Sequence, residues 1–169
     1  VAHEAPQRLV LTNLRTGRDL ECQFNPEQLD EVLSTEWNRL TPRGAGGVRR
    51  HFSHTTNLTL DLTLWWRAMG DDEQARLLEA RQLLHAWTYP RRATRNSAGG
   101  GPPDLLLVWP GMLVITVNLI SARLSHVHFA PNGKSRRFSA TCQFEEVFDI
   151  GLTESEVTAD YGGRLGSGL

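Results

Sequence analysis

The stretch Asn57-Leu58-Thr59-Leu60-Asp61-Leu62-Thr63-Leu64-Trp65 alternates without a break, with four leucines on one face and Asn57, Thr59, Asp61 and Thr63 on the other. Successive strand side chains point to opposite faces, so the pattern predicts a strand with one face buried and one wet. At the amino end, Leu9 to Leu14, the Gly17-containing turn and the alternating run Asp19 to Phe24 predict a β-hairpin. Further on, Leu105 to Trp109 is a short apolar run, Pro110-Gly111 a turn, and Met112 to Phe129 a strand long enough to bend between two sheets. Its apolar face switches near Leu119-Ile120, which fits a bulge. The turn Pro131-Asn132-Gly133-Lys134 then leads into Arg136 to Phe148, where Phe138, Ala140, Cys142, Phe144 and Glu146 share a face. A long terminal hairpin follows.

Only one segment has a helical period. Behind Asp71 and Asp72, the residues Leu77, Leu78, Leu84 and Trp87 fall broadly on one side, which predicts a helix from Asp72 to Trp87, ended by Tyr89-Pro90. Glu27 to Leu33, after the Asn25-Pro26 turn, reads as an irregular or short extended connection carrying Trp37 towards the core. Two segments read as exposed loops: Thr41 to Arg50, with three glycines and three arginines, and Arg91 to Pro103, which runs into Gly99-Gly100-Gly101-Pro102-Pro103. The picture is mainly β with one helix, a folded unit over 1–150 and a carboxy-terminal tail over 151–169 without a period of its own.

Composition narrows the function. The chain has 169 residues, 40% of them hydrophobic, enough for one core. A formal net charge of −1 supplies no global field for nucleic acid or anionic lipid. The first residues lack the basic start and apolar run of a secretory signal, and no stretch approaches the ~20 apolar residues of a membrane span. The reading is therefore a protein made in the cytoplasm without a signal peptide, with no nucleic-acid partner and no membrane insertion. Cys22 and Cys142 lie in no metal-ligand spacing and read as buried free thiols.

Candidate chemistry is sparse. His126 and His128, two apart on a predicted strand, would share a face and could share a metal, but no third ligand is placed beside them. His51 or His54 could pair with a cysteine as a nucleophile only through contacts that the sequence does not show. The triglycine lacks the spacing and the Lys-Ser/Thr ending of a phosphate loop. No catalytic residue, metal or cofactor is expected. The arginines at 43, 49, 50, 91, 92 and 95 cluster in two glycine-bearing loops, where they are either solvated or paired with acids of a neighbouring subunit. Arg43, Arg49, Arg50, Arg91 and Arg92, with Asn132 and Lys134 of the terminal turn, are the candidate subunit interface. Trp65, Trp66, Trp87 and Trp109 read as core, with a ligand-binding β-barrel as the alternative.

The order of Phe24-Asn25-Pro26, Trp37, the glycine-rich loop, the Leu58 to Leu64 strand, the acid-capped helix, Pro102-Pro103, Leu107-Val108-Trp109 and the closing hairpin ending Gln143-Phe144-Glu145-Glu146 resembles contractile injection system tube-family proteins. Within them it looks most like the tube-initiator, or baseplate-adaptor, branch. The resemblance spans about residues 8 to 149. It implies a tail-tube fold, two sheets packed as a sandwich or barrel with one flanking helix, and a non-enzymatic subunit of a homo-hexameric ring around a lumen. Neighbouring tube, spike and baseplate proteins are the implied partners, in a particle that is released or membrane-attached. Many relatives in that branch carry a carboxy-terminal LysM-type module. Residues 150 to 169 contain nothing like it, so a tube, initiator or terminator layer all fit the resemblance.

Overall fold

A computed structural model describes residues 7–40, 43–44, 46–90 and 100–147. The tail, the last residues of the terminal strand, and Arg91, Arg92 and Arg95 lie outside the described residues. The strands are β1 (Val10–Asn13), β2 (Asp19–Glu21), β3 (Leu29–Val32), β4 (Thr35–Leu40), β5 (Arg49–Thr55), β6 (Thr59–Arg67), β7 (Leu105–Trp109), β8 (Leu113–Phe129) and β9 (Ser135–Glu146); the helix α1 is Asp71–Trp87. Seven strands form one sheet in the order β2-β1-β7-β8-β9-β6-β3, and β4 and β5 form a separate two-stranded sheet. The expected mainly β architecture with one helix is observed.

The large sheet turns back on itself at two corners. β8 pairs with β7 over Leu113 to Val117 and with β9 from Val117 onward, with a register shift between Leu119 and Ser121. An extra residue bends a strand and raises its twist, so the bulge foreseen at Leu119-Ile120 is the first corner. The second lies between β2 and β3. β2 pairs with β1, Phe24 bridges to Trp65, and β3 pairs with β6, so one chain segment joins the two ends of the strand order. The partner changes between Cys22, whose N–H still donates to Leu9 C=O, and Phe24; Pro26, which has no N–H to donate, then lies between the Phe24 bridge and β3, where the pairing to β6 is interrupted.

Closure explains why burial is one-sided along the main strands. Leu58, Leu60, Leu62, Leu64 and Trp66 of the β6 run and Phe138, Ala140, Cys142 and Phe144 of β9 are buried, as are Leu105, Leu107, Ile115, Val117 and Leu119. Trp66 stacks on Phe138 with ring centroids 5.3 Å apart. The helix packs against β6, β8 and β9 and buries Leu77, Ala80, Leu83, Leu84 and Trp87. Leu78, expected on that face, is instead partly exposed, because the buried positions 77, 80, 84 and 87 define a narrower stripe that leaves it to one side. Asp71, Asp72 and Glu73 occupy the first turn, favourable beside the positive helix end, and the Glu73 carboxylate accepts the Met69 N–H. In the β8–β9 turn Gly133 has φ 78°, and the Asn132 side chain accepts the Lys134 N–H at 3.1 Å.

Trp37 does not reach the core. It lies on β4, 53% exposed, and every residue of β4 and β5 is exposed. The loop expected over Thr41 to Arg50 is shorter at its far end, because Arg49 and Arg50 are the first residues of β5. The hairpin joins the barrel at a neck where the Ser34 and Thr56 hydroxyls lie 2.9 Å apart and Thr56 N–H donates to Ser34 C=O.

The core and the hairpin should therefore respond oppositely to deletion. Phe144→Ala removes a fully buried ring and is expected to cost about 3–5 kcal/mol in urea unfolding. Replacing residues 36–54 with a tight Asn-Gly turn removes, among the described residues, only exposed positions and is expected to stay within about 1 kcal/mol of the unaltered chain.

Candidate assembly surfaces

Strand directions give the barrel two distinct ends. Thr59 at the start of β6 pairs with Glu145 near the end of β9, and Arg67 at the end of β6 pairs with Arg137 near the start of β9. The β4–β5 hairpin enters β6 at the first end; the β8–β9 turn lies at the second. Eight strand steps separate Thr59 from Arg67, about 27 Å.

The candidate interface residues divide between these ends. Arg43 lies exposed in the β4–β5 turn, and Arg49 and Arg50 open β5, where Arg50 faces Arg39 and Arg49 faces Leu40. These three come together, with Arg39 added. Asn132 and Lys134 are exposed in the β8–β9 turn at the opposite end, so they do not join the arginines. Arg91 and Arg92 fall outside the described residues.

The hairpin also carries an apolar surface that the sequence reading placed elsewhere. Trp37 and Phe52 are cross-strand partners, ring centroids 5.6 Å apart and edge to face; Leu40, on the opposite face by strand parity, and Val48 are exposed as well. A two-stranded hairpin is marginal in water by itself, and exposed aromatic and aliphatic side chains beside arginine form the composition of an interface core. Strict alternation is missing from Thr35-Glu36-Trp37-Asn38-Arg39-Leu40, because every residue of the strand is exposed and no buried face imposes it. The available signal was a glycine-rich turn flanked by two runs of similar length.

A second surface lies on the outer face near the β8–β9 turn. It is a groove of about 750 Å³ lined by Phe24, Trp65, Met69, Arg67, Arg136 and Arg137 among others. Arg137 lies over the Trp65 ring, 5.0 Å from its centroid, and faces Arg67 directly across the strands. Trp65, read as core, is on the outer face, whereas Trp66 and Trp87 are buried and Trp109 packs against the core.

The residues considered for chemistry do not converge. Cys22 and Cys142 are buried free thiols, and His51 and His54 sit on the exposed hairpin. Burial pushes the Cys142 thiol up to about 12 and pushes Cys22 up further, with smaller contributions from Cys142 and Glu21. Both stay protonated and un-nucleophilic near neutrality. The His126 ring stacks on Phe138 at 4.8 Å, and burial, then Arg81, lowers its pKa. His128 has φ 58° and lines the outer groove, so the regular alternation that would hold the two rings on one face is interrupted. Among the described residues no three His, Cys, Asp or Glu side chains gather as a metal site.

A family model described as contractile injection system tube protein matches residues 11–152. The match covers most of the chain, and the chain belongs to that family, a structural one rather than a family of enzymes. No curated protein matches the sequence.

The thiols allow a direct check on their inertness. Dithionitrobenzoate at pH 8 is expected to leave both cysteines unreacted in the folded chain and to titrate both after unfolding. Both folded pKa values are raised, so their stabilising contribution is complete below the free-thiol value of 9.0 and is lost as pH rises from there towards 12. The unfolding free energy from urea titrations should fall above pH 9, by up to about 1.4 kcal/mol per pH unit for each thiol. Cys22→Ala/Cys142→Ala should flatten that decline.

Proposed function

We propose that the chain is a non-enzymatic ring subunit of a contractile injection particle, six copies surrounding a lumen in the inner tube or at the junction of tube and baseplate. The observation that carries this is the β4–β5 hairpin, a separate two-stranded sheet whose Trp37, Phe52, Leu40 and Val48 stay exposed in the lone subunit. Family membership supports a structural role in such a particle. A ring closes when one surface meets a different surface on the next copy around an axis, and a projecting hairpin suits that heterologous contact. Each hairpin strand pairs with only its partner, so each has a second edge able to extend a neighbour's sheet. Arg39, Arg43, Arg49 and Arg50 give the contact a positive rim that steers and orients an acidic neighbour.

In this reading the subunit makes and breaks no bond. Its work is mechanical: it repeats one interface, fixes register for the next layer, and leaves a central passage for cargo when the sheath drives the tube. It is made in the bacterial cytoplasm and joins its particle beside tube, spike and baseplate proteins.

Light scattering and negative-stain imaging across concentrations test the ring. Hexameric rings are expected, alone or with neighbouring tube and spike proteins added, and a monomer that ignores those proteins at every concentration overturns the reading. Trp37→Asp/Phe52→Asp should abolish rings with unchanged circular dichroism, because both rings are already in water in the monomer. Arg49→Glu/Arg50→Glu should weaken assembly most at low salt; unchanged assembly removes that rim from the interface.

A further inference from the structure

The groove near the β8–β9 turn is basic and apolar together. Arg67 and Arg137 face each other across paired strands, an arrangement that repels, and Arg136 lies beside them. Among the described residues none of the three forms an ion pair, and the groove lining holds a single carboxylate, Glu27. Phe24 and Met69 are 51% and 74% exposed, so this lining offers apolar contact as well as charge. An acidic, partly aliphatic peptide is the occupant such chemistry suits.

Two segments leave the barrel at the other end. One is the β4–β5 hairpin, whose Arg39, Arg43, Arg49 and Arg50 would meet the groove arginines with like charge. The other is the chain beyond Val147, the last described residue, whose N–H donates to Thr116 C=O at that end. Its segment 149–160 carries Asp149, Glu154, Glu156 and Asp160, no Lys or Arg, and the aliphatic residues Ile150, Leu152 and Val157. Charge complementarity selects this segment over the hairpin.

Geometry selects whose segment it is. From Val147 back to Arg137 is about 33 Å along β9. Twelve extended residues span at most ~40 Å, so only the last carboxylates of a chain's own segment would reach its own groove. A second copy stacked head to tail brings the root of its segment beside the groove. We propose that the groove at the β8–β9 end receives the acidic segment 149–160 of the next copy along the tube axis. This deepens the ring reading and rests on it for the stacked arrangement.

Two full-length variants test the contact: a groove-reversed chain, Arg136→Glu/Arg137→Glu, and a tail-neutralised chain, Asp149→Asn/Glu154→Gln/Glu156→Gln/Asp160→Asn. A fluorescent peptide of residues 148–161 is expected to bind the tail-neutralised chain by anisotropy. Adding the groove reversal should weaken it at least about tenfold, and ~0.5 M salt should weaken it as well. In sedimentation, a mixture of the two variants should form larger species than either does alone, since one supplies the segment and the other the groove. Peptide affinity that ignores the groove reversal, or a mixture no more associated than its parts, overturns the proposal. Failure of the ring reading shows separately, as a subunit mass that stays monomeric, because peptide binding needs no ring.

Discussion

The structure depends on a sheet that must cover its own apolar face. One 17-residue helix cannot shield the inner faces of seven strands, so the strands have to curl until those faces meet one another. The bulge at Leu119–Ser121 and the change of partner between Cys22 and Phe24 make that possible, since each lets one stretch of chain belong to both halves of the barrel. Phe24, just past one edge strand, bridges to Trp65 of β6 beside the other, as a curled sheet requires.

Closure of the barrel also determines what remains for assembly. Once the apolar faces of β6, β8 and β9 are turned inward, half of the exposed large apolar side chains among the described residues lie in pieces that closure does not use: the β4–β5 hairpin, the Phe24–Met69 groove, and Val127 and Phe129 near the β8–β9 turn. The barrel core supplies stability, and the leftover surfaces lie at or near its two ends, separated by the length of β6. A subunit with different surfaces at its two ends suits repeated heterologous contact, which builds a tube rather than a closed dimer.

The parts legible in the sequence were those that one chain settles alone. Leu58 to Leu64 alternated because one face is buried within the subunit, the face switch at Leu119-Ile120 marked the bulge, and Asn132-Gly133 marked its turn through a glycine at positive φ. Trp37 was misplaced because a tryptophan ordinarily signals a core, and periodicity cannot say whether that core lies within one chain or between chains. For the same reason Trp65 looked equivalent to Trp66, although strand parity puts them on opposite faces. Arg43, Arg49 and Arg50 were found by composition, but the groove arginines were not, since Arg67, Arg136 and Arg137 are brought together only by the pairing of β6 with β9.

Like-charged partners recur across the strands: Arg39 faces Arg50, Arg67 faces Arg137, and Asp30 faces Asp61. Each pair costs the lone subunit a few tenths of a kcal/mol or more, because directly opposed like charges are unfavourable. In a fold optimised as a monomer, alternating the signs would relieve all three without touching the core. Two of the pairs are positive and lie on the hairpin and beside the groove, and the third is negative on the outer face of β3 and β6. In the proposed assembly, the positive pairs of one subunit would meet acidic groups of another, where the same repulsion becomes a gain on association and a penalty on wrong registers.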